Sequence, residues 1–269
     1  MKNQRNAVRV LLPPASASLP RARREALSQL ISCALSVAVE VDTAKNYEQL
    51  HRQVVSGEAD VVWAPPLVCA RFETIDVPVL MRAVRRGDAT YRAALICSAG
   101  ANRVRLDELL GTRAAWVDPE SCAGYLLPGS WLREHGVLPE RTFTQQLFCG
   151  SYHRAVEAVL SGAAEVSSVY CPCTTNQPDL ERLVPGSARQ LQVIGLTDDV
   201  PNDGVVVGPY APKDLSRDLE LVLQNPNVCA DGARILNGVF GTERFEAAPR
   251  HGYRALYSLL SGRSERAAG

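Results

Sequence analysis

Apolar and polar positions along the chain follow two rhythms that replace one another every ten or so residues. Val8 to Leu12 is a short, mostly apolar run that ends at Pro13-Pro14, as a buried strand would. Arg21 to Leu35 places Leu27, Leu30, Ile31 and Ala34 on one face and Arg24, Glu25 and Ser28 on the other, which predicts an amphipathic helix. Val37 to Val41 is a second strand. Asn46 caps a helix that runs to Val55 and closes at Ser56-Gly57. Ala59 to Trp63 is a third strand, and Pro65 and Pro66 open another helix, because proline is tolerated in the first turn. This βαβαβα order predicts a mainly parallel sheet with helices on both faces.

Two extended stretches follow, Val77 to Val84 and Tyr91 to Ser98, with Arg85-Arg86-Gly87-Asp88 as the turn between them. Leu106 to Leu110 is a short helix, Ala114 to Val117 a strand, and Cys122 to about His135 a helix. Phe143 to Phe148 is a strand, Tyr152 to Leu160 a helix closed by Ser161-Gly162, and Ala164 to Tyr170 a strand. A second βαβαβ unit thus occupies the middle of the chain. Leu191 to Leu196 is extended, Pro201-Asn202-Asp203-Gly204 turns, and Val205 to Val207 returns. Helices at about Lys213 to Leu223, Cys229 to Leu236 and Tyr253 to Leu260 complete the order, and Ser261 to Gly269 reads as a frayed polar tail.

Chemistry concentrates between the strand at Ala114 and the helix from Cys122. Val117-Asp118-Pro119-Glu120-Ser121-Cys122-Ala123-Gly124-Tyr125-Leu126-Leu127-Pro128 is a strand end, a tight turn and a helix start, built from small and polar residues. Such a helix N-terminus points N–H groups outward and favours negative charge. Ser121 can cap the helix and still donate its hydroxyl hydrogen. The same features also describe an ordinary helix cap.

Composition narrows the function classes. The chain has 269 residues, 46% apolar and 22% charged, which is typical of a globular domain or two. The formal net charge is zero, so no polyanionic partner such as nucleic acid is indicated. No run of 18 apolar residues could span a membrane. Lys2 and Arg5 could start an export signal, but Arg9, Pro13 and Pro14 interrupt its apolar core, so a cytoplasmic location is expected, with the periplasm as the alternative. The eight cysteines are expected to be free thiols: Cys33, Cys69 and Cys97 sit in apolar runs and read as core, and Cys171-Pro172-Cys173 lacks the second pair that a zinc site needs. No cofactor and no metal are implied.

A resemblance adds to this reading. Tyr47-Glu48-Gln49-Leu50, Ser56-Gly57-Glu58-Ala59-Asp60-Val61-Val62-Trp63, Thr90-Tyr91-Arg92, the Val117–Tyr125 stretch, Phe148-Cys149-Gly150-Ser151-Tyr152-His153 and Val200-Pro201-Asn202-Asp203 occur in this order and spacing. As an ordered set they resemble the phosphate/phosphite/phosphonate-binding proteins of ABC transporters, from about Val8 to Leu223. The resemblance implies an α/β, two-lobed, type 2 periplasmic-binding-protein fold with a ligand cleft between lobes. Lobe one would be residues 1–95 plus 198–269 and lobe two residues 96–197, joined by two crossover strands near Ile96 and Gly195. Carried over by position, the ligand-binding residues are Tyr47, Tyr91, Ser121, Cys122, Ala123, Tyr152, His153, Tyr170 and Asp203. The partners implied are a small-molecule ligand and a transporter permease, or a regulatory protein.

The chain departs from that family where an oxyanion would bind. Ser121-Cys122-Ala123 stands where the family usually reads Ser-Thr-Ser, so two hydroxyl donors are missing. Each such donor to a charged oxygen is worth about 1.5–3 kcal/mol, and two together roughly two or more decades of affinity. Tyr152 takes the place of a common histidine, with His153 one residue on. A thiol at a helix N-terminus can also be a nucleophile, so Cys122 with His153 as its base is the candidate catalytic pair. Three functions stay open: a small-anion or organic-acid binding protein, a cytoplasmic enzyme on the same fold such as a lyase or dehydratase, and a ligand-sensing regulatory partner. His51, His135 and His251 read as surface residues, and Trp63, Trp116 and Trp131 as core.

Overall fold

β-Branched runs separated by capped amphipathic stretches build the elements in the order expected. A computed structural model describes residues 7–100, 105–226, 229 and 231–261; Lys2, Arg5 and most of the polar tail lie outside the described residues. The first part comprises β1 (Ala7–Leu12), α1 (Arg21–Leu35), β2 (Ala38–Thr43), α2 (Tyr47–Val55), β3 (Val61–Ala64), α3 (Pro66–Thr74) and β4 (Val79–Val84). The middle comprises β5 (Thr90–Ser98), β6 (Thr112–Trp116), a π-helical turn (Cys122–Leu126) running into α4 (Leu127–Glu134), α5 (Pro139–Thr142), β7 (Phe143–Phe148), α6 (Tyr152–Leu160), β8 (Val166–Pro172), α7 (Leu180–Leu183) and β9 (Leu191–Leu196). Then come β10 (Val200–Pro201), β11 (Gly204–Val207), α8 (Leu215–Gln224), α9 (Gly232–Phe240), β12 (Arg244–Ala247) and α10 (Arg254–Ser261). The chain divides into two units, one formed up to Ala89 and by Pro201–Ser261, the other by Thr90–Val200.

The first unit's sheet has the order β12-β4-β11-β3-β1-β2. β1 pairs parallel with β2 and β3, as the βαβαβα rhythm requires. The other half departs from the expected parallel sheet. β11 returns from the far end of the sequence, pairs antiparallel with β3 and β4, and β12 adds antiparallel to β4. On one face Val8, Val10 and Leu12 of β1 pack with Leu27, Leu30 and Ile31 of α1, Leu219 and Leu223 of α8, and Leu236 and Phe240 of α9. Burying each such side chain is worth about 1.5–3 kcal/mol, which is what holds the distant C-terminal helices to the first strand.

Two residues of this unit differ from the expectation. Cys33 is exposed, because the phase of α1 that buries Leu27, Leu30 and Ile31 turns it outward. His51 is half-buried rather than on the surface; its ring lies 4.8 Å from that of Phe72, and burial, aided by Arg71, holds its pKa below the usual value.

The second unit's sheet has the order β10-β5-β8-β6-β7, with β9 also on β5. β6 is parallel to β7 and β8, while β5 is antiparallel to β8 and β9. Both faces are covered. Leu95, Ala114, Trp116, Phe143 and Val166 pack with Leu132 of α4, and Ala94, Ile96, Val169 and Cys171 with Val156 and Val159 of α6. Gly195 in β9 lets the Trp131 ring come close to the backbone: a Cβ there would sit 2.4 Å from Trp131 Cη2.

Candidate functional site

In the second unit the chain leaves β6 on one face of the sheet, by the π-helical turn and α4, and leaves β7 on the other face, by α6. β7 and β8 flank β6 on opposite sides. Connections that diverge in this way open a crevice at the carboxyl ends of the strands. Cys149 N–H donates to Trp116 O (2.8 Å) and Gly150 N–H to Val117 O (2.7 Å), so the two turns that start the helices stand side by side.

The turn after β6 is set by a chain of local bonds. Asp118 Oδ1 accepts from Glu120 N–H (2.8 Å), the role expected of an Asp before a helix. Ser121 Oγ accepts from Gly124 N–H (3.2 Å) and Ser121 O from Leu126 N–H (3.0 Å). The second bond spans five residues, so the helix begins with a π turn and not with the α turn expected from Cys122 onward. The cause is visible at Gly124, whose carbonyl accepts from Val117 N–H (3.2 Å) and so is drawn back toward the strand. Ala123 is buried, and its carbonyl accepts from the buried Ser168 hydroxyl (2.7 Å). Ser168 was not among the expected site residues; its contact is made by a strand far along the chain. Cys122 is half-buried in the first turn.

The turn after β7 is simpler. Gly150 has φ +79°, and Ser151 Oγ accepts from Arg154 N–H (3.2 Å), capping α6. Tyr152 is half-buried and packs against the α6 face of the core. His153 is exposed, and its Nδ1 lies 3.1 Å from Glu157 Oε2 one turn along the same helix. The expected base for Cys122 therefore engages its own helix. Beside this turn, burial pushes the Cys149 thiol above its usual pKa, with Arg154 opposing.

Tyr91 and Tyr170 meet at the same edge of the sheet. Tyr91, at the start of β5, lies opposite Pro172 at the carboxyl end of β8. Its buried ring stacks on the half-buried ring of Tyr170 at 5.0 Å between centroids and 24° between planes. Of the nine expected binding residues, the second unit thus gathers Tyr91, Ser121, Cys122, Ala123, Tyr152, His153 and Tyr170 at the carboxyl edge of one sheet.

Tyr47 and Asp203 belong to the first unit. Tyr47 opens α2, whose cap is Asn46, with Oδ1 accepting from Gln49 N–H (2.8 Å). Asp203 precedes β11 and is held in a salt bridge by Arg85. Arg85 in turn donates to the carbonyls of Phe240 and Gly241, each at 3.1 Å, at the C-terminal end of α9, and lies over the Trp63 ring at 5.9 Å. The sequence shows Arg85 only as a turn residue; no local pattern joins it to Asp203. Among the described residues, no three His, Cys, Asp or Glu side chains cluster closely enough to hold a metal ion.

The family model described as the periplasmic, phosphonate substrate-binding protein of ABC transporters matches residues 10–253. The chain belongs to this family. The resemblance read from the ordered motifs, and the small-molecule-binding function it implied, thereby stand. XAC2383 from Xanthomonas citri, solved bound to ATP, has a TM-score of 0.80 at 18% identity, covering 98% of this chain and 99% of its own. A binding protein component of a phosphonate ABC transporter (PA3383) from Pseudomonas aeruginosa gives 0.71 at 19% identity, over 97% and 87%. PhnD1 from Prochlorococcus marinus, solved with methylphosphonate, gives 0.69 at 18% identity, over 97% and 98%. These likenesses establish the two-lobed periplasmic-binding-protein fold class. The expected cytoplasmic location finds no support in a family described as periplasmic, and the periplasmic alternative fits it. Among the described residues no helix is long and apolar enough to cross a membrane.

Proposed function

We propose that this chain is the periplasmic receptor of an ABC importer, and that it grips a small organic anion by its charged end at the Ser121 and Ser151 turns. The observation that carries the reading is the pair of serine-capped helix starts, tied by the Gly150–Val117 hydrogen bond at the carboxyl ends of adjacent parallel strands. Two N-termini aimed from one sheet edge supply backbone donors and two helix dipoles to a negative group. The stacked Tyr91 and Tyr170 rings at that edge suit an organic portion of the ligand. In the first unit, Tyr47 and Asp203 are proposed as further ligand contacts. The permease is the proposed partner.

The donor set argues for an organic anion over free phosphate. Cys122 is a weak donor and Ala123 has no side-chain donor, so a three-oxygen group meets fewer hydroxyls here than a Ser-Thr-Ser turn offers. Titration calorimetry with phosphate, phosphite and methylphosphonate at pH 6 and pH 8, beside native mass spectrometry of the freshly purified protein, tests both parts. The expected result is binding of all three weaker than about micromolar, and a larger organic anion retained on purification. Submicromolar binding of any simple oxyanion at both pH values would overturn the preference for an organic ligand. Unchanged affinity for the retained molecule in both Ser121→Ala and Ser151→Ala would overturn the site.

A further inference from the structure

Eight cysteines in a chain of this family raise the question of which, if any, can pair. Cys69, Cys97 and Cys171 are buried. Cys171 lies in β8 and Cys173 in the turn that follows it; Cys173 accepts from the Thr90 hydroxyl (3.5 Å), while Cys171 is sealed in the core beneath α6. Cys33 and Cys229 are different. The Cys33 thiol pushes the Cys229 thiol above its usual pKa, so the two are neighbours although they are far apart in sequence. Cys229 Sγ also lies 3.9 Å from Leu30 O, so it is seated on the turn of α1 that carries Cys33. Its flank packs on the core that contains Leu30 and Leu236, which holds the thiol in place. Cys33 is exposed on the outer side of this contact, open to a reagent.

We infer that Cys33 and Cys229 are a redox pair that closes into a disulfide when the folded protein meets another disulfide, either a small one such as oxidised glutathione or that of a thiol-oxidising protein. The exchange balances as follows. The Cys33 thiol loses its proton and attacks one sulfur of the reagent; the reagent's S–S bond breaks and one reagent thiol leaves. Cys229 then attacks Cys33 Sγ in the mixed disulfide, and the second reagent thiol leaves. The protein thiols lose two electrons, the reagent gains them, and the two protons end on the released thiols. The bond ties Cys229 to α1, closing a long loop and restricting the unfolded chain.

The test uses the full chain, native and fully reduced, incubated with oxidised glutathione, then alkylated and digested without reduction. The expected product has lost two free thiols, carries no glutathione, and yields one linked peptide pair joining Cys33 to Cys229. In Cys229→Ser, Cys33 stops at a persistent mixed disulfide with glutathione, because no second thiol displaces it. Persistent glutathione on Cys33 of the unsubstituted protein overturns the pair. So does a linked peptide involving any other cysteine, or complete alkylation of both residues after incubation.

Discussion

A Cβ added at Gly124 would come within 2.4 Å of Val117 Cγ2, whereas one added at Gly150 would meet nothing within 4 Å. That contrast separates the two helix starts of the second unit. The Ser121 turn is wedged between its own strand and Ser168 of β8, with Ala123 and Gly124 buried. The Ser151 turn is held by one cap, one backbone bond to Val117 and a left-handed glycine, with His153 facing out. One is shaped by packing before any ligand arrives; the other is shaped by local bonds and has room to adjust. Equal caps therefore do not make equal sites.

The comparison breaks most directly at the glycines. Gly124→Ala is expected to lower the free energy of unfolding by about 2–4 kcal/mol, because Val117 and the Ser121 hydroxyl must move. Gly150→Ala is expected to cost only about 1 kcal/mol, for its positive φ. Denaturant unfolding of both variants measures this, and equal losses would erase the distinction. Next, Ser168→Ala leaves the Ala123 carbonyl buried without its donor, at a cost of about 1–2 kcal/mol. The same measurement should show it, together with weaker binding of whatever anion copurifies. A stable Ser168→Ala variant with unchanged affinity would mean that the first turn does not depend on β8.

The caps sharpen the contrast further. Ser121→Ala and Ser151→Ala should each lose about 1 kcal/mol of stability. Hydrogen exchange should then report freer amides over residues 152–155 in the second variant, with little change over residues 122–126 in the first. The smallest effect concerns Cys149, which burial holds protonated beyond its usual pKa of 9.0. In the reduced protein at pH 8 it should alkylate more slowly than exposed Cys33, and faster only as pH rises past 9. Equal rates at pH 8 would show the Ser151 turn opening more than its cap allows.

Local patterns were readable and distant partners were not. α1 spans the residues that its amphipathic period marks, and Asn46 and Ser121 cap where the sequence places caps, because each signal lies within a few residues. The antiparallel half of the first sheet was not legible, since β11 finds its partners at Trp63 and Met81 only through the fold. Ser168 and Arg85 escaped for the same reason: what each does depends on a residue tens of positions away. Cys33 was misread from the apolar character of its neighbours, when helical phase decides burial. Seven of the proposed contacts could be drawn to one sheet edge because the family's spacing already encodes that edge.

The Arg85–Asp203 pair also bears on how fast the proposed anionic ligand can arrive, Asp203 being one of its proposed contacts. A lone carboxylate repels an incoming negative charge out to about 8 Å at physiological ionic strength. Arg85, itself anchored on the last carbonyls of α9, turns that carboxylate into one end of a short dipole, whose field dies away over a much smaller distance. An anion nearing Asp203 therefore meets little opposing force until it is within hydrogen-bonding range. The rate at which the proposed ligand is captured should change little with salt, and replacing Arg85 with methionine should make that rate fall as salt is withdrawn.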